Sequence, residues 1–204
     1  NYLSKMAYHN LQDTKSTSII PTYGALGCAI SHIFCWKYMI KNKINCAIIC
    51  EDDLHIKDES LCYDILESYH SIRELESKHM FNNIISFDAN TEKAQYKLYN
   101  KMYNLYQINT GHITKLHFYM LNLNCAEYLL SNILPITFQI DVQICKKFIG
   151  ACKYNLFLFN KETGLTDQKK FTSNVQYFIP TLKFIKKIFE NIFDSDGCIA
   201  EKIF

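Results

Sequence analysis

The sequence lacks the features that mark several large classes of protein. It has no apolar run approaching the roughly 18 residues of a transmembrane helix, and residues 1–20 contain no apolar core of a signal peptide. Its 22 Lys and Arg residues nearly balance its 20 Asp and Glu residues, which argues against a nucleic-acid partner. No CxxC pair occurs, so a structural zinc site is not expected. The sequence therefore predicts a protein without a transmembrane segment or a nucleic-acid partner.

Apolar residues and cysteine are what the sequence does contain in quantity. Of its 204 residues, 49% are apolar and 14% aromatic, which predicts a single globular domain over residues 1–204. Several of the nine cysteines lie in apolar stretches, for example Cys28, Cys35, Cys46 and Cys50. This pattern is typical of buried thiols in a reducing compartment and predicts a cytoplasmic location. Because the chain begins at Asn1 rather than Met, an upstream targeting segment, the ER lumen and a virus-associated location stay open.

The run CAIICEDD at residues 46–53 is the most informative stretch of the chain. Five apolar or small residues, the length of one buried strand, end in Glu51, Asp52 and Asp53. Ligands of open α/β sheets bind just beyond the carboxyl ends of such strands. If the backbone stays extended, Glu51 and Asp53 point to one side and offer two oxygen ligands to a hard divalent cation. The alternative is a solvated acidic turn.

Apolar spacing predicts an α/β fold in which helices alternate with strands. Predicted helices cover residues 24–41, 60–78, 122–133 and 182–193, and predicted strands cover residues 46–50, 84–87, 115–121 and 154–159. Residues 93–108 favour loop and strand. Residues 1–20 are polar and weakly patterned, so we expect an irregular lead-in. The alternation predicts a central, mainly parallel sheet flanked by helices.

Two linked motifs resemble glycosyltransferase family 25. The run GALGCAISHIFCWKYMI at residues 24–40 is similar to the Gly-x-x-Gly-Cys-x-x-Ser-His helix of that family, and AIICEDD at residues 47–53 to its strand ending in Glu-Asp-Asp. Later residues are similar to its His-x-Tyr strand, its Ala-x-x-Leu-Leu helix and its Pro-Ile-Asp-x-x-x-Asp segment: His117, Tyr119, Asn122, Ala126, Leu129, Leu130, Pro135, Ile136 and Asp141. The resemblance covers roughly residues 20–180. The family includes bacterial lipooligosaccharide galactosyltransferases and collagen galactosyltransferase domains.

The chain also departs from the family pattern at several positions. The family usually has Glu where Ala25 stands, Gly-Thr where Lys115 and Leu116 stand, and Asp where Thr137 stands. It normally opens with a strand and helix that help to hold the nucleotide, and residues 1–20 do not match this segment. We therefore expect the N-terminal nucleotide-binding strand of the family to be missing.

The resemblance implies a GT-A-like domain that uses a UDP-sugar donor and Mn²⁺ or Mg²⁺ held by the acidic triplet. Within that triplet we expect Asp53 to be a direct metal ligand, Glu51 to contact metal or ribose, and Asp52 to support them. The cation would neutralise the charge that grows on the leaving diphosphate. Two further matches to the family motifs, Ser31 with His32 and His117, are candidates for the nucleotide side of the site. For both histidines, a hydrogen-bonded structural role is the alternative.

An acceptor hydroxyl must lose its proton as it attacks the sugar, so a carboxylate is needed as general base. Asp141 is the first candidate because it is an isolated acid in the apolar run ITFQIDVQI, and its alternative role is a helix N-cap. Asp88, which ends a predicted strand, is the second candidate base. The tyrosines of residues 96–106 could stack on sugar rings or belong to the core.

The resemblance thus implies an inverting hexosyltransferase that moves galactose or glucose to a glycan or hydroxylysine acceptor, as in lipopolysaccharide biosynthesis or collagen glycosylation. The expected partners are a nucleotide sugar and a glycan or glycoprotein. The alternative is a catalytically inactive member that acts as a binding or adhesion module. A two-metal nuclease would use the same acids, but the balanced charge argues against it.

Overall fold

A computed structural model describes residues 2–13, 19–51, 54–56, 61–78, 83–87, 94–101, 105–111, 114–148, 155–159 and 166–168. The helices are α1 (Lys5–Gln12), α2 (Tyr23–Asn42), α3 (Leu61–Ser77), α4 (Leu123–Asn132) and α5 (Ile140–Phe148). The strands are β1 (Cys46–Cys50), β2 (Leu54–Ile56), β3 (Asn83–Ser86), β4 (Ala94–Asn100), β5 (Leu105–Gly111), β6 (Phe118–Asn122), β7 (Asn155–Phe159) and β8 (Thr166–Gln168). The α/β class predicted from the sequence is confirmed.

The main sheet is mixed and mostly antiparallel. Its six described strands lie in the order β1-β6-β3-β7-β5-β4, while β2 and β8 form a separate antiparallel pair. Among the pairings of the six strands, β3 with β7 is parallel, and β1–β6, β3–β6, β5–β7 and β4–β5 are antiparallel. The prediction of a mainly parallel sheet is therefore wrong. The reason is that β6 lies between β1 and β3 and is antiparallel to both of them.

Strands β1 and β3 nevertheless end at the same edge of the sheet. Both are antiparallel to β6, with Cys50 opposite Phe118 and Ser86 opposite Tyr119, so they run in the same direction. Helix α3 makes the crossover between them, as a helix does between parallel strands. The carboxyl ends of β1 and β3 therefore flank the start of β6, and this edge of the sheet holds the candidate site.

Within the lead-in, Lys5–Gln12 form helix α1, so the prediction of an irregular segment is wrong for these residues. Ser4 caps α1 by accepting a hydrogen bond from the Ala7 N–H at 3.1 Å. Bridges from Leu3 to Ile136 and from Ile19 to Phe138 attach this segment to the loop before α5. The sequence hid the helix because one of its two buried residues is polar: Asn10 donates to the Ile20 carbonyl.

Most elements predicted from apolar spacing are confirmed close to their predicted bounds. Helix α2 begins after Thr22, whose hydroxyl accepts from the Ala25 N–H, and ends at Lys43 in the left-handed conformation. Helix α4 begins after Asn122, whose side-chain oxygen accepts from the Cys125 N–H. Strands β4 and β5 form a hairpin from the stretch predicted as loop and strand. The predicted helix at residues 182–193 lies outside the described residues.

The core lies between the main sheet and the helices that contact it. Trp36 and Ile33 of α2, Tyr119 and Leu121 of β6, and Leu129 of α4 are buried in one apolar cluster. Six cysteines of the described residues are not joined in disulfide bonds: Cys28, Cys35, Cys46, Cys50, Cys125 and Cys145. In the same part of the chain, every helix is too short or too polar to cross a membrane.

Candidate functional site

Glu51 lies at the carboxyl end of β1, where the first acid of the triplet was expected. Its N–H donates to the His117 carbonyl at 2.9 Å, which joins the end of β1 to the start of β6. Its side chain is 29% exposed, so the carboxylate is within reach of a ligand while remaining anchored to the protein. The sheet topology thus brings together two predicted site residues, Glu51 and His117.

The Glu51 carboxylate also contacts one face of α2. Its Oε1 lies 3.5 Å from Cys28 Sγ and 3.6 Å from His32 Nε2. Residues four apart on a helix share a face, so the same strip of α2 presents both groups to the end of β1. The structure therefore brings the Cys-x-x-x-His part of the helix motif into contact with the acidic motif. In the sequence, Glu51 follows His32 by 19 residues.

The environment of Glu51 favours its ionised form. Burial raises the pKa of its carboxyl. A larger opposite effect comes from a hydrogen bond and charge on His32, a hydrogen bond from the Cys28 thiol and the charge of His117, all of which lower the pKa. The net effect is a pKa below the usual value for glutamate. Glu51 is therefore an anion at neutral pH, which suits contact with a cation or with a hydroxyl donor.

Three side chains of this site offer ligand atoms to a metal ion. Cys28, His32 and Glu51 place a sulfur, a ring nitrogen and a carboxylate oxygen within 4.8 Å of one another. A mixed sulfur, nitrogen and oxygen set suits Zn²⁺, whereas Mn²⁺ and Mg²⁺ prefer oxygen ligands. An oxygen site would draw on Glu51 and on Asp52 and Asp53, which lie outside the described residues.

His32 is held in place by a buried hydrogen-bond network. Its Nδ1 lies 2.9 Å from the Tyr119 hydroxyl, and Trp36 Nε1 donates to that same hydroxyl at 3.0 Å. The three side chains are all buried. Burial raises the pKa of the Tyr119 phenol well above its usual value, so the hydroxyl stays protonated. His32 thus has the hydrogen-bonded structural role considered as its alternative, while its second ring nitrogen faces Glu51.

Ser31 and His117 occupy different surroundings. Ser31 lies on the exposed side of α2, and its hydroxyl donates to the Gly27 carbonyl at 3.0 Å. It is therefore not part of the cluster around Glu51. His117 is 1% exposed and lies directly before β6, close enough for its charge to act on the Glu51 carboxyl. Ser31, His32 and His117 were expected on the nucleotide side of the site, and of these His32 and His117 lie next to Glu51.

Asp141 lies at the same end of the sheet, in the first turn of α5. Its Oδ2 accepts from the N–H of Lys115, two residues before His117 in the sequence, at 3.2 Å. Its Oδ1 accepts from the Val142 N–H at 2.7 Å. Because α5 begins at Ile140, Asp141 is a first-turn residue of the helix and not its N-cap. The second candidate base, Asp88, lies outside the described residues.

Lys115 has a strained backbone at the position where family 25 usually has glycine. Its φ is 68°, in the left-handed region that costs a non-glycine residue about 1–2 kcal/mol. We expect Lys115→Gly to raise the free energy of unfolding by up to about 1 kcal/mol, because relief of this strain exceeds the entropy cost of glycine in the unfolded chain.

Urea unfolding of both variants would test this, with Lys101→Gly as the matched control. Lys101 is also exposed in a turn, but it is not among the residues with positive φ. We expect the control to lose stability. Equal losses in the two variants would show that the backbone at Lys115 is not strained.

Sequence reasoning missed the parts played by Cys28 and Trp36. Both had a detectable signal, because Cys28, His32 and Trp36 are spaced four residues apart and therefore lie along one face of α2. No local signal indicates that Tyr119 meets this face, since 87 residues separate Tyr119 from His32.

Comparison with known proteins places these residues in one family. Residues 1–144 match the model of a family described as glycosyltransferase family 25 (LPS biosynthesis protein). The match includes the helices α1 to α4, the strands β1 to β6 and the first turn of α5. It begins at residue 1 and ends at residue 144, whereas the resemblance covered roughly residues 20–180. A search of curated proteins gave no match. Because the matched region exceeds half of the chain and contains Cys28, His32, Glu51 and His117, the chain belongs to glycosyltransferase family 25.

Proposed function

We propose that this protein is a metal-dependent GT-A type enzyme that transfers galactose or glucose from a UDP-sugar to a glycan or hydroxylysine acceptor, with inversion at the anomeric carbon. Family membership implies glycosyltransferase activity, with a sugar donor and an acceptor. The observation that carries the proposal is the anionic Glu51 carboxylate at the edge where β1 and β3 end and β6 begins. In open α/β sheets, ligands bind just beyond the carboxyl ends of the strands, which is where Glu51 lies.

The acidic triplet fits a hard divalent cation. Glu51 supplies a carboxylate with a lowered pKa, and Asp53 follows it by two residues in the sequence. We assign Asp53 as the direct ligand of Mn²⁺ or Mg²⁺, Glu51 as a ligand of metal or ribose, and Asp52 as their support. The bound ion would offset negative charge on the leaving diphosphate.

His117 and His32 would act on the nucleotide side of the site by different means. His117 lies beside Glu51 through the backbone hydrogen bond between Glu51 and the start of β6. His32 contacts the Glu51 carboxylate with its Nε2 and is fixed by Tyr119 at its Nδ1. Ser31 has less support, because its hydroxyl donates within α2 on the exposed side of that helix.

Two carboxylates remain candidates for the base that takes the acceptor proton. Both oxygens of Asp141 accept backbone hydrogen bonds, from the Lys115 and Val142 N–H groups, and these hold the carboxylate next to the residues that precede β6. Asp88 follows Phe87 in the sequence, and the Phe87 N–H donates to the Phe118 carbonyl at the same edge as Glu51. Asp141 is therefore the first candidate for the base, and Asp88, which lies outside the described residues, is the second.

Titration calorimetry of UDP with and without Mn²⁺ tests this function. We expect UDP to bind at least about tenfold more tightly with Mn²⁺ present, because Glu51 and Asp53 would hold the ion and the ion would offset the charge of the diphosphate. ADP is the control for the nucleotide base, and hydrolysis of UDP-galactose and UDP-glucose then identifies the donor. Absence of UDP binding under both conditions would instead support an inactive member that acts as a binding module.

A further inference from the structure

The protons around Tyr119 can be assigned from its partners. An indole N–H can only donate, so the Tyr119 oxygen accepts from Trp36 Nε1. Tyr119 is fully buried, and in the described part of the chain the side-chain partners of its hydroxyl are Trp36 and His32. A buried O–H without an acceptor is strongly disfavoured. The hydroxyl hydrogen of Tyr119 is therefore donated to His32 Nδ1.

This assignment fixes the tautomer of His32. Because Nδ1 accepts a hydrogen bond, the neutral ring carries its proton on Nε2, which lies 3.6 Å from Glu51 Oε1. A ring protonated at Nδ1 would give the Tyr119 oxygen a second donor and leave the buried O–H without an acceptor. The network thus turns an N–H group of His32 toward the carboxylate.

The same assignment argues against a metal ion bound by Cys28, His32 and Glu51. Such an ion would take the lone pair of Nε2 and force the proton onto Nδ1, the arrangement that Tyr119 disfavours. As donors, by contrast, Cys28 Sγ and His32 Nε2 both lie close to Glu51 Oε1. Both groups therefore face one oxygen of the carboxylate, Cys28 at 3.5 Å and within hydrogen-bond reach of its sulfur, and His32 at 3.6 Å in a longer contact.

We propose that Tyr119 is a positioning residue: by donating to His32 Nδ1 it makes Nε2 the donor that holds the Glu51 carboxylate in the orientation needed to contact the metal–nucleotide complex. This role rests on the proposed function, because Glu51 contacts the donor complex only if a nucleotide sugar binds. Trp36 supports this role because its indole N–H donates to the Tyr119 oxygen, which leaves the hydroxyl hydrogen of Tyr119 for His32. Tyr119 itself does not touch the substrate.

The tautomer can be read directly from the wild-type protein by ¹⁵N NMR of its histidine side chains. The sequence contains seven histidines, and the signals of His32 are identified by their loss in His32→Gln. We expect the neutral ring of His32 to have an unprotonated Nδ1 and a protonated Nε2. This measurement needs no stable variant of Tyr119. A proton on Nδ1 of wild-type His32 would overturn the proposal.

Tyr119→Phe tests the consequence for activity, since it removes the hydroxyl and retains the ring. We expect the ring of His32 to gain a population protonated at Nδ1 and kcat/KM for the UDP-sugar to fall about 10- to 100-fold, mainly through KM. The Kd for UDP in the presence of Mn²⁺ should rise by a similar factor. Tyr128→Phe is the matched control, because it removes a hydroxyl from a half-buried tyrosine on α4, outside the candidate site, and should leave all three values unchanged.

The outcomes separate this role from the proposed function. If Tyr119→Phe keeps the wild-type kcat/KM and KM, Tyr119 does not position Glu51 and the proposal is overturned. If the wild-type protein neither binds UDP nor uses a UDP-sugar, the proposed function fails and the positioning role fails with it. In that case the ¹⁵N spectrum of the unliganded protein still shows whether the hydrogen-bond network exists.

Discussion

Replacing Asp53 with alanine is expected to abolish sugar transfer while the fold remains intact. The proposed role of Asp53 is to bind directly the ion that neutralises the leaving diphosphate, an effect worth several kcal/mol. At about 1.4 kcal/mol for each factor of ten, its loss lowers kcat by about a thousandfold or more. Initial rates at saturating Mn²⁺ and UDP-sugar measure the effect, and circular dichroism reports on the fold.

Asp13→Ala is the matched control for this experiment. Asp13 is exposed at the end of α1 and belongs to no part of the candidate site, so its replacement should leave the transfer rate unchanged. In Asp53→Ala, the difference between UDP binding with and without Mn²⁺ should also disappear. Near-normal transfer by Asp53→Ala would show that Asp53 is not a metal ligand.

Replacing the buried Gln143 with methionine is expected to cost about 3 kcal/mol of stability, because four hydrogen bonds are lost at nearly constant side-chain volume. Its Oε1 accepts from the N–H groups of Thr137 and Phe138 at 2.7 and 2.9 Å. Its Nε2 donates to the carbonyls of Ile133 and Pro135. The same loop carries the bridges to Leu3 and Ile19, so the substitution also loosens the attachment of α1.

Urea unfolding followed by circular dichroism measures this change as a shift of the midpoint at constant slope. Gln12→Met is the control, since the Gln12 side chain is exposed and its replacement should change stability by less than about 0.5 kcal/mol. A loss below about 1 kcal/mol for Gln143→Met would mean that water or other groups form hydrogen bonds with the N–H and carbonyl groups of the loop. The two variants together separate the effect of the hydrogen bonds from that of the substitution itself.

Local patterns in the sequence predicted most of the individual elements. The apolar positions of α2 recur at helical spacing over 20 residues, and five apolar or small residues mark β1, so each element follows from its own segment. Helix α1 was missed because it is only 8 residues long and buries Asn10, whose polar side chain interrupts the apolar pattern. Short elements with a buried polar residue carry too little periodicity to be recognised.

The arrangement of the strands could not be predicted in the same way. Alternation of helices and strands favours parallel neighbours, and β1 and β3 do run in the same direction on either side of helix α3. Which strand lies between them depends on a pairing with β6, more than 30 residues further along the chain from β3. Such a pairing is decided by burial of both faces of β6, all five of whose residues are buried.

The candidate site likewise depends partly on local sequence patterns and partly on long-range contacts. The sequence by itself determined the acids that follow β1, the Gly-x-x-Gly-Cys-x-x-Ser-His motif of α2 and the family, because these depend on residue types at fixed short spacings. Only the tertiary structure decided that Glu51 contacts Cys28, His32 and His117, and that the Tyr119 hydroxyl contacts Nδ1 of His32. These contacts join segments far apart in the chain, and they form because the packing of α2 against β6 buries polar groups that must then pair with one another.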